Sequence, residues 1–176
     1  AVGPDVQLYI DANCSLDYFH ALKLAKQVEP YDISFFEEPV THNDIPNLQK
    51  LRAKTSIPLA QGELFNHPYE WKKIIAEHLI DYIRVHLSQI GGITPGRKLQ
   101  LFAEQYGVRT AWHGPGDVSP VGHMCNLHLS LACYNFGVQE GGNIQGVQRE
   151  IFRGTQTFKD GYLFPNDSPG WGIEVD

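Results

Sequence analysis

Sulfur is scarce in this 176-residue sequence, which has one methionine and three cysteines. Cys14, Cys125 and Cys133 are odd in number and include no Cys-x-x-Cys pair, which argues against a disulfide framework or a zinc site and leaves them as buried or incidental thiols. Long apolar runs are also missing. No window approaches the roughly 20 apolar residues of a bilayer-spanning helix. Residues 1–11 have neither the basic start nor the apolar core of a signal peptide, so a cytoplasmic location is expected. Positive charge is in the minority, with 14 Lys and Arg against 20 Asp and Glu and a net charge of -6. The basic residues are scattered and form no stripe that could neutralise a phosphate backbone, so neither nucleic acid nor an anionic membrane surface is an expected partner. No Gly-x-Gly-x-x-Gly follows the first strand, which disfavours a doubly wound nucleotide-binding sheet. No Ser/Gly linker or charge block divides the chain into two domains.

What is present is alternation. Short β-branched or aromatic runs at Val6–Ile10, Ile33–Phe36, Pro58–Gln61, Tyr82–Val85, Val108–Trp112 and Phe136–Gln139 predict strands. Amphipathic stretches at Ser15–Val28, Ile45–Ala53, Tyr69–His78, Pro95–Tyr106 and Val121–Cys133 predict the helices between them. Repeated βα units call for an α/β fold with a parallel sheet and crossover helices. From Gly141 onward Gly, Pro, Asn and Asp are dense, and the segment reads as turns around one helical stretch near Val147–Phe152.

The informative residues stand where strands end. The first strand ends in Asp11, the second runs into Glu37-Glu38-Pro39, and the third reaches Glu63 through Gly62. Positions 11, 37 and 63 are 26 residues apart, one βα unit each time. Taken singly, each acid is more simply a solubilising loop residue or a helix cap. Three in register put three carboxylates on one rim, where their mutual repulsion is relieved by a hard divalent cation such as Mg2+.

Later strands bring other chemistry to that rim. Arg84 and His86 are two residues apart and share a strand face. The fifth strand runs into Trp112-His113-Gly114-Pro115-Gly116-Asp117, and the sixth ends Gln139-Glu140. An arginine there suits a substrate carboxylate or hydroxyl, and a histidine is a natural proton carrier near neutral pH. His20, His42, His67, His78, His123 and His128 fall on helices or loops away from the inferred rim and are read as structural or surface residues.

Ile10-Asp11-Ala12-Asn13, Phe36-Glu37-Glu38-Pro39, Gly62-Glu63, Gly91-Gly92-Ile93-Thr94 and His113-Gly114-Pro115-Gly116-Asp117, in this order, resemble the enolase superfamily. Within it they look like the mandelate racemase subgroup and its mannonate dehydratase branch, to whose motif Gly137-Val138-Gln139-Glu140 is also close. The resemblance implies a (β/α)8 barrel of which this chain supplies strands three to eight. Residues 1–140 would be the barrel portion and 141–176 a loop-rich segment of the same domain, without the N-terminal capping domain of family members. A whole barrel takes roughly 250 residues, which agrees with a partial one here.

The resemblance further implies Mg2+ on Asp11, Glu37 and Glu63, proton abstraction next to a substrate carboxylate to give an enediolate, and loss of the 3-hydroxyl to leave a 2-keto-3-deoxy sugar acid. His113 would be an acid/base catalyst, Arg84 and Asp117 would hold hydroxyls, and Glu140 would bond the substrate carboxylate or a neighbouring hydroxyl. By the same resemblance Asn13 and His86 would also face the substrate, and both depart from the pattern. Asn13 stands where mannonate dehydratases have a histidine base, and His86 where many racemase-subgroup members have an aspartate. Asparagine can position a hydroxyl but takes no proton at neutral pH. A sugar-acid dehydratase, a racemase or epimerase of the same superfamily, and an inactive metal- or sugar-acid-binding member are all consistent with these residues. A homo-oligomer is the implied assembly.

Overall fold

A computed structural model describes residues 2–3, 5–116, 118–141 and 144–176. Five parallel strands lie side by side in chain order: β1 (Tyr9–Asp11), β2 (Phe35–Glu37), β3 (Leu59–Gln61), β4 (Tyr82–Ile83) and β5 (Arg109–Thr110). Crossover helices α1 (Tyr18–Val28), α2 (Ile45–Arg52), α3 (Pro68–Ala76) and α4 (Ile93–Gln105) connect them, and α5 (Pro120–Leu131) follows the last. The parallel order is the one the alternation predicts, and it forms the wall of part of a (β/α)8 barrel, as the resemblance implies. Among the described residues no helix is long and apolar enough to cross a membrane.

Helix starts are fixed by capping. Asp17, Asp44 and Ser119 each accept a backbone N–H at the start of α1, α2 and α5, and His67 forms a reciprocal capping box with Glu70 on α3. Asp17, Asp44 and Glu70 are thus acids that cap described helices, whereas Asp11, Glu37 and Glu63 cap none of them. β2 and β3 are buried along their whole length, and Phe36, Leu59 and Ile83 pack with Leu48, Leu51, Ile74 and Ile75 from the helices in one core. Asp81 ties strands to helices by pairing with Arg52 and accepting from the Leu59 amide at 2.8 Å.

Two regions differ from the pattern read in the sequence. The expected strand Phe136–Gln139 is reduced to a single parallel bridge between Thr110 and Phe136. A side chain at Gly137 would collide with the Tyr82 ring and the Thr110 carbonyl, so this segment packs by backbone approach rather than as a regular ladder. The tail carries more than turns. After α6 (Val147–Ile151), β6 (Phe152–Arg153) pairs antiparallel with β9 (Glu174–Val175), and β7 (Thr157–Lys159) pairs with β8 (Tyr162–Phe164). Asp160 and Gly161 close the second pair with φ of 51° and 82°, the two positive values that a tight hairpin turn of this hand requires.

Candidate functional site

The parallel register sets Asp11 opposite Glu37 at the ends of β1 and β2, and Glu37 opposite Ala60 on β3. The chain then reaches Glu63 through Gly62, whose φ is 140°. A Cβ at Gly62 would lie 3.1 Å from the Arg84 amide nitrogen and 3.2 Å from Ile83 Cδ1, so only glycine brings the Glu63 turn this close to the next strand. After β1 the backbone turns sharply, with Asn13 and Cys14 both at positive φ. The Asn13 amide donates to Asp11 Oδ1 at 2.7 Å, and Asn13 Nδ2 donates to Glu63 Oε1 at 3.1 Å. Asn13 therefore links the first and third carboxylates of the ladder.

Arg84, just past β4 and only 5% exposed, has its guanidinium engaged by protein on three sides. Its Nε donates to Glu37 Oε1 at 2.7 Å, Nη1 to the Ala111 carbonyl at 3.0 Å and Nη2 to Glu140 Oε2 at 2.8 Å. Glu140 also accepts from the Gly114 amide at 2.9 Å. The His113 amide donates to the Val85 carbonyl at 3.1 Å, which brings the His113 ring over His86. His113 Nδ1 lies 2.6 Å from His86 Nε2, with the rings 89° apart. On its other side His113 Nε2 is 3.1 Å from Glu63 Oε2 and 3.8 Å from Glu140 Oε2.

Burial dominates the electrostatics of these acids. It pushes the Glu37 carboxyl up to about 7, Arg84 pulling it back in part while the charges of Asp11 and Glu140 add to the rise. Burial likewise raises Glu63, with the charges of Glu38 and Asp11 behind it. Glu140 moves the other way: burial opposes it, but the Gly114 amide, Arg84 and His113 together hold its carboxyl below the usual range. Glu37 and Glu140 thus share the guanidinium of Arg84, while Glu63 feels the like charges of Glu38, Asp11 and Glu140. Such a set is stabilised by an added positive charge.

The donor chemistry fits a hard cation. Ligand atoms of Glu37, Glu63 and His113 lie within 4.8 Å of one another, and Asp11 stands beside Glu37 in register. The structure therefore gathers Asp11, Asn13, Glu37, Glu63, Arg84, His86, His113 and Glu140 on one rim. Asp117, the remaining residue singled out in the sequence, lies outside the described residues. Two neighbours carry no such mark in the sequence reading: Glu38, fully buried, and Cys14, whose thiol donates to Glu38 Oε2 at 3.0 Å. Burial, and then the Glu38 contact, pushes the Cys14 thiol up to about 12. The adjacent pair Glu37-Glu38 was the available signal, since a second acid beside a rim acid must itself be accommodated.

Comparison with known proteins gives one consistent result. Residues 1–176 match the family model described as enolase C-terminal domain-like. A D-galactonate dehydratase family member from Enterococcus gallinarum is 46% identical over 175 residues, which is 99% of this chain and 44% of that protein. The crystal structure of an enolase from Pantoea ananatis with bound D-gluconate and Mg superposes with a TM-score of 0.96 at 45% identity, covering 99% of this chain and 42% of that one. The 3,6-anhydro-D-galactonate cycloisomerase of Zobellia galactanivorans gives 0.87 at 28% identity, covering 99% of this chain and 49% of its own. The chain spans less than half the length of these relatives.

Proposed function

The chain belongs to the enolase C-terminal domain-like family, and from that membership and the geometry of its rim we propose that it carries the metal and proton-transfer site of a Mg2+-dependent acid-sugar dehydratase. The substrate class is an aldonic acid of the gluconate, galactonate and mannonate kind, mannonate being the member that the sequence resemblance implies. The observation that supports this reading most is the convergence of strand-end carboxylates on His113: Glu37, Glu63 and His113 present ligand atoms within 4.8 Å of one another, with Asp11 in register beside them.

Asp11, Glu37 and Glu63 would hold the Mg2+, which when bound supplies positive charge against the negative charge that develops on a substrate carboxylate as the neighbouring carbon loses its proton. Arg84 holds Glu37 and Glu140 in fixed orientations through Nε and Nη2. His113 carries the transferable proton at Nε2, the nitrogen that faces Glu63 and Glu140, while its Nδ1 is held by His86. Asn13 fixes Glu63 and presents an amide where a hydroxyl can be bound. In the overall reaction the C2–H bond breaks, its electron pair forms the C2–C3 double bond, and the C3 hydroxyl departs as water after receiving a proton. The enol then becomes the 2-keto-3-deoxy acid.

Incubation of the full chain with Mg2+ and a panel of aldonic acids is expected to yield a 2-keto-3-deoxy acid, and EDTA is expected to stop it. Turnover undiminished by EDTA would remove the metal from the account. Exchange of the C2 proton for solvent deuterium without keto-acid formation would instead assign a racemase or epimerase.

A further inference from the structure

Next to the proposed metal carboxylates stands a buried acid that bonds to two of the three strand-end turns and belongs to the remaining one. Glu38 is 0% exposed and has a φ of 42°, a left-handed value that costs a non-glycine residue roughly 1 kcal/mol or more. That conformation turns the side chain inward, out of the alternation of β2. Its Oε1 accepts from the Gly62 amide at 2.7 Å, in the turn that carries Glu63. Its Oε2 accepts from the Cys14 thiol at 3.0 Å, in the turn that follows Asp11. The backbone repeats the connection, since the Cys14 amide donates to the Glu38 carbonyl and the Glu38 amide to the Ala60 carbonyl, both at 3.0 Å.

We propose that Glu38 is a positioning residue for the metal site, clamping the Asp11 and Glu63 turns on either side of Glu37 so that the three carboxylates face one another. The inference rests on the reading that these carboxylates take Mg2+. The parallel ladder and the apolar core already join β1, β2 and β3 away from the rim, so a further buried tie at the rim acts on ligand geometry more than on the fold. A buried carboxylate placed among three other acids raises their mutual repulsion. Its retention there is accounted for by the two turns it holds, because Oε1 meets the buried Gly62 amide and Oε2 the half-buried Cys14 thiol.

Calorimetric Mg2+ titration of the full chain tests the proposal, with thermal unfolding in EDTA followed in parallel. Glu38→Gln keeps the shape and one carbonyl acceptor but cannot accept from both turns. It is expected to weaken Mg2+ binding roughly tenfold or more while the EDTA unfolding midpoint changes little. Binding by the folded variant within about threefold of the parent chain would overturn the proposal. Should Glu38→Gln fail to fold, Cys14 decides the matter from the other side of the bond. Cys14→Ala is expected to weaken Mg2+ binding about fivefold and Cys14→Ser, which keeps a donor, to restore it, whereas parental affinity in the alanine variant would contradict the clamp. A parent chain that binds no Mg2+ would overturn the functional reading itself. A parent that binds with both sets of variants unchanged would remove only the role given to Glu38.

Discussion

Glu37→Gln is expected to abolish measurable Mg2+ binding and to lower kcat/KM by at least about a thousandfold. Glu37 faces Asp11 across the β1–β2 register and shares its Oε1 with Arg84 at 2.7 Å, so its position is set from both sides. Glutamine keeps a carbonyl that accepts from Arg84 Nε but removes the charge the cation would meet. The protein should therefore fold, with its loss confined to the site. Glu37→Ala is a harsher change, because it leaves the buried guanidinium of Arg84 without one of its two carboxylates, at a cost of about 3–5 kcal/mol of stability. Comparing the two variants by denaturant unfolding and Mg2+ calorimetry separates the cation-binding role of Glu37 from its role as a counter-ion. Glutamine should lose the metal and keep most of the stability, and alanine should lose both.

His113→Asn is expected to reduce kcat by about a hundred- to ten-thousandfold, the usual contribution of a positioned acid or base, while Mg2+ affinity stays within a few-fold of the parent. The geometry distinguishes two roles. His113 Nε2 sits 3.1 Å from Glu63 Oε2, a hydrogen-bonding separation, while Nδ1 is held at 2.6 Å from His86 Nε2. A ring gripped at Nδ1 and aimed at the rim through Nε2 suits proton transfer. The His113 ring also offers one of the potential metal-ligand atoms. Single-turnover kinetics alongside Mg2+ titration decides the point: lost turnover with retained binding identifies a proton carrier, and lost binding identifies a ligand.

The parts of this site legible in the sequence are those repeated once per βα unit. Asp11, Glu37 and Glu63 recur at a constant interval because the first two end, and the third closely follows, successive strands of the same parallel sheet, and the observed register places the first two directly opposite each other. The His86–His113 contact follows the same logic, since the Val85 carbonyl receives the His113 amide from the next strand. What spacing does not reveal is how each acid is balanced. Arg84 meets Glu37 and Glu140 from 47 and 56 residues away, and no local pattern indicates that one guanidinium serves both. Glu38 was hidden for a conformational reason, because its positive φ breaks the strand alternation by which side chains are assigned to faces. The hairpin at Asp160-Gly161 was obscured by composition: its turn pair lies in a segment already dense in glycine, proline and asparagine, so the flanking Thr157–Lys159 and Tyr162–Phe164 runs did not stand out as strands.

The central claim is that three strand-end carboxylates form one divalent-cation site. It is tested most directly by calorimetric titration of Mg2+ into the full chain and into its Asp11→Asn, Glu37→Gln and Glu63→Gln variants. One Mg2+ per chain, weakened by every substitution, is the expected result. Absence of binding by the parent chain, or parental affinity in all three variants, would contradict it.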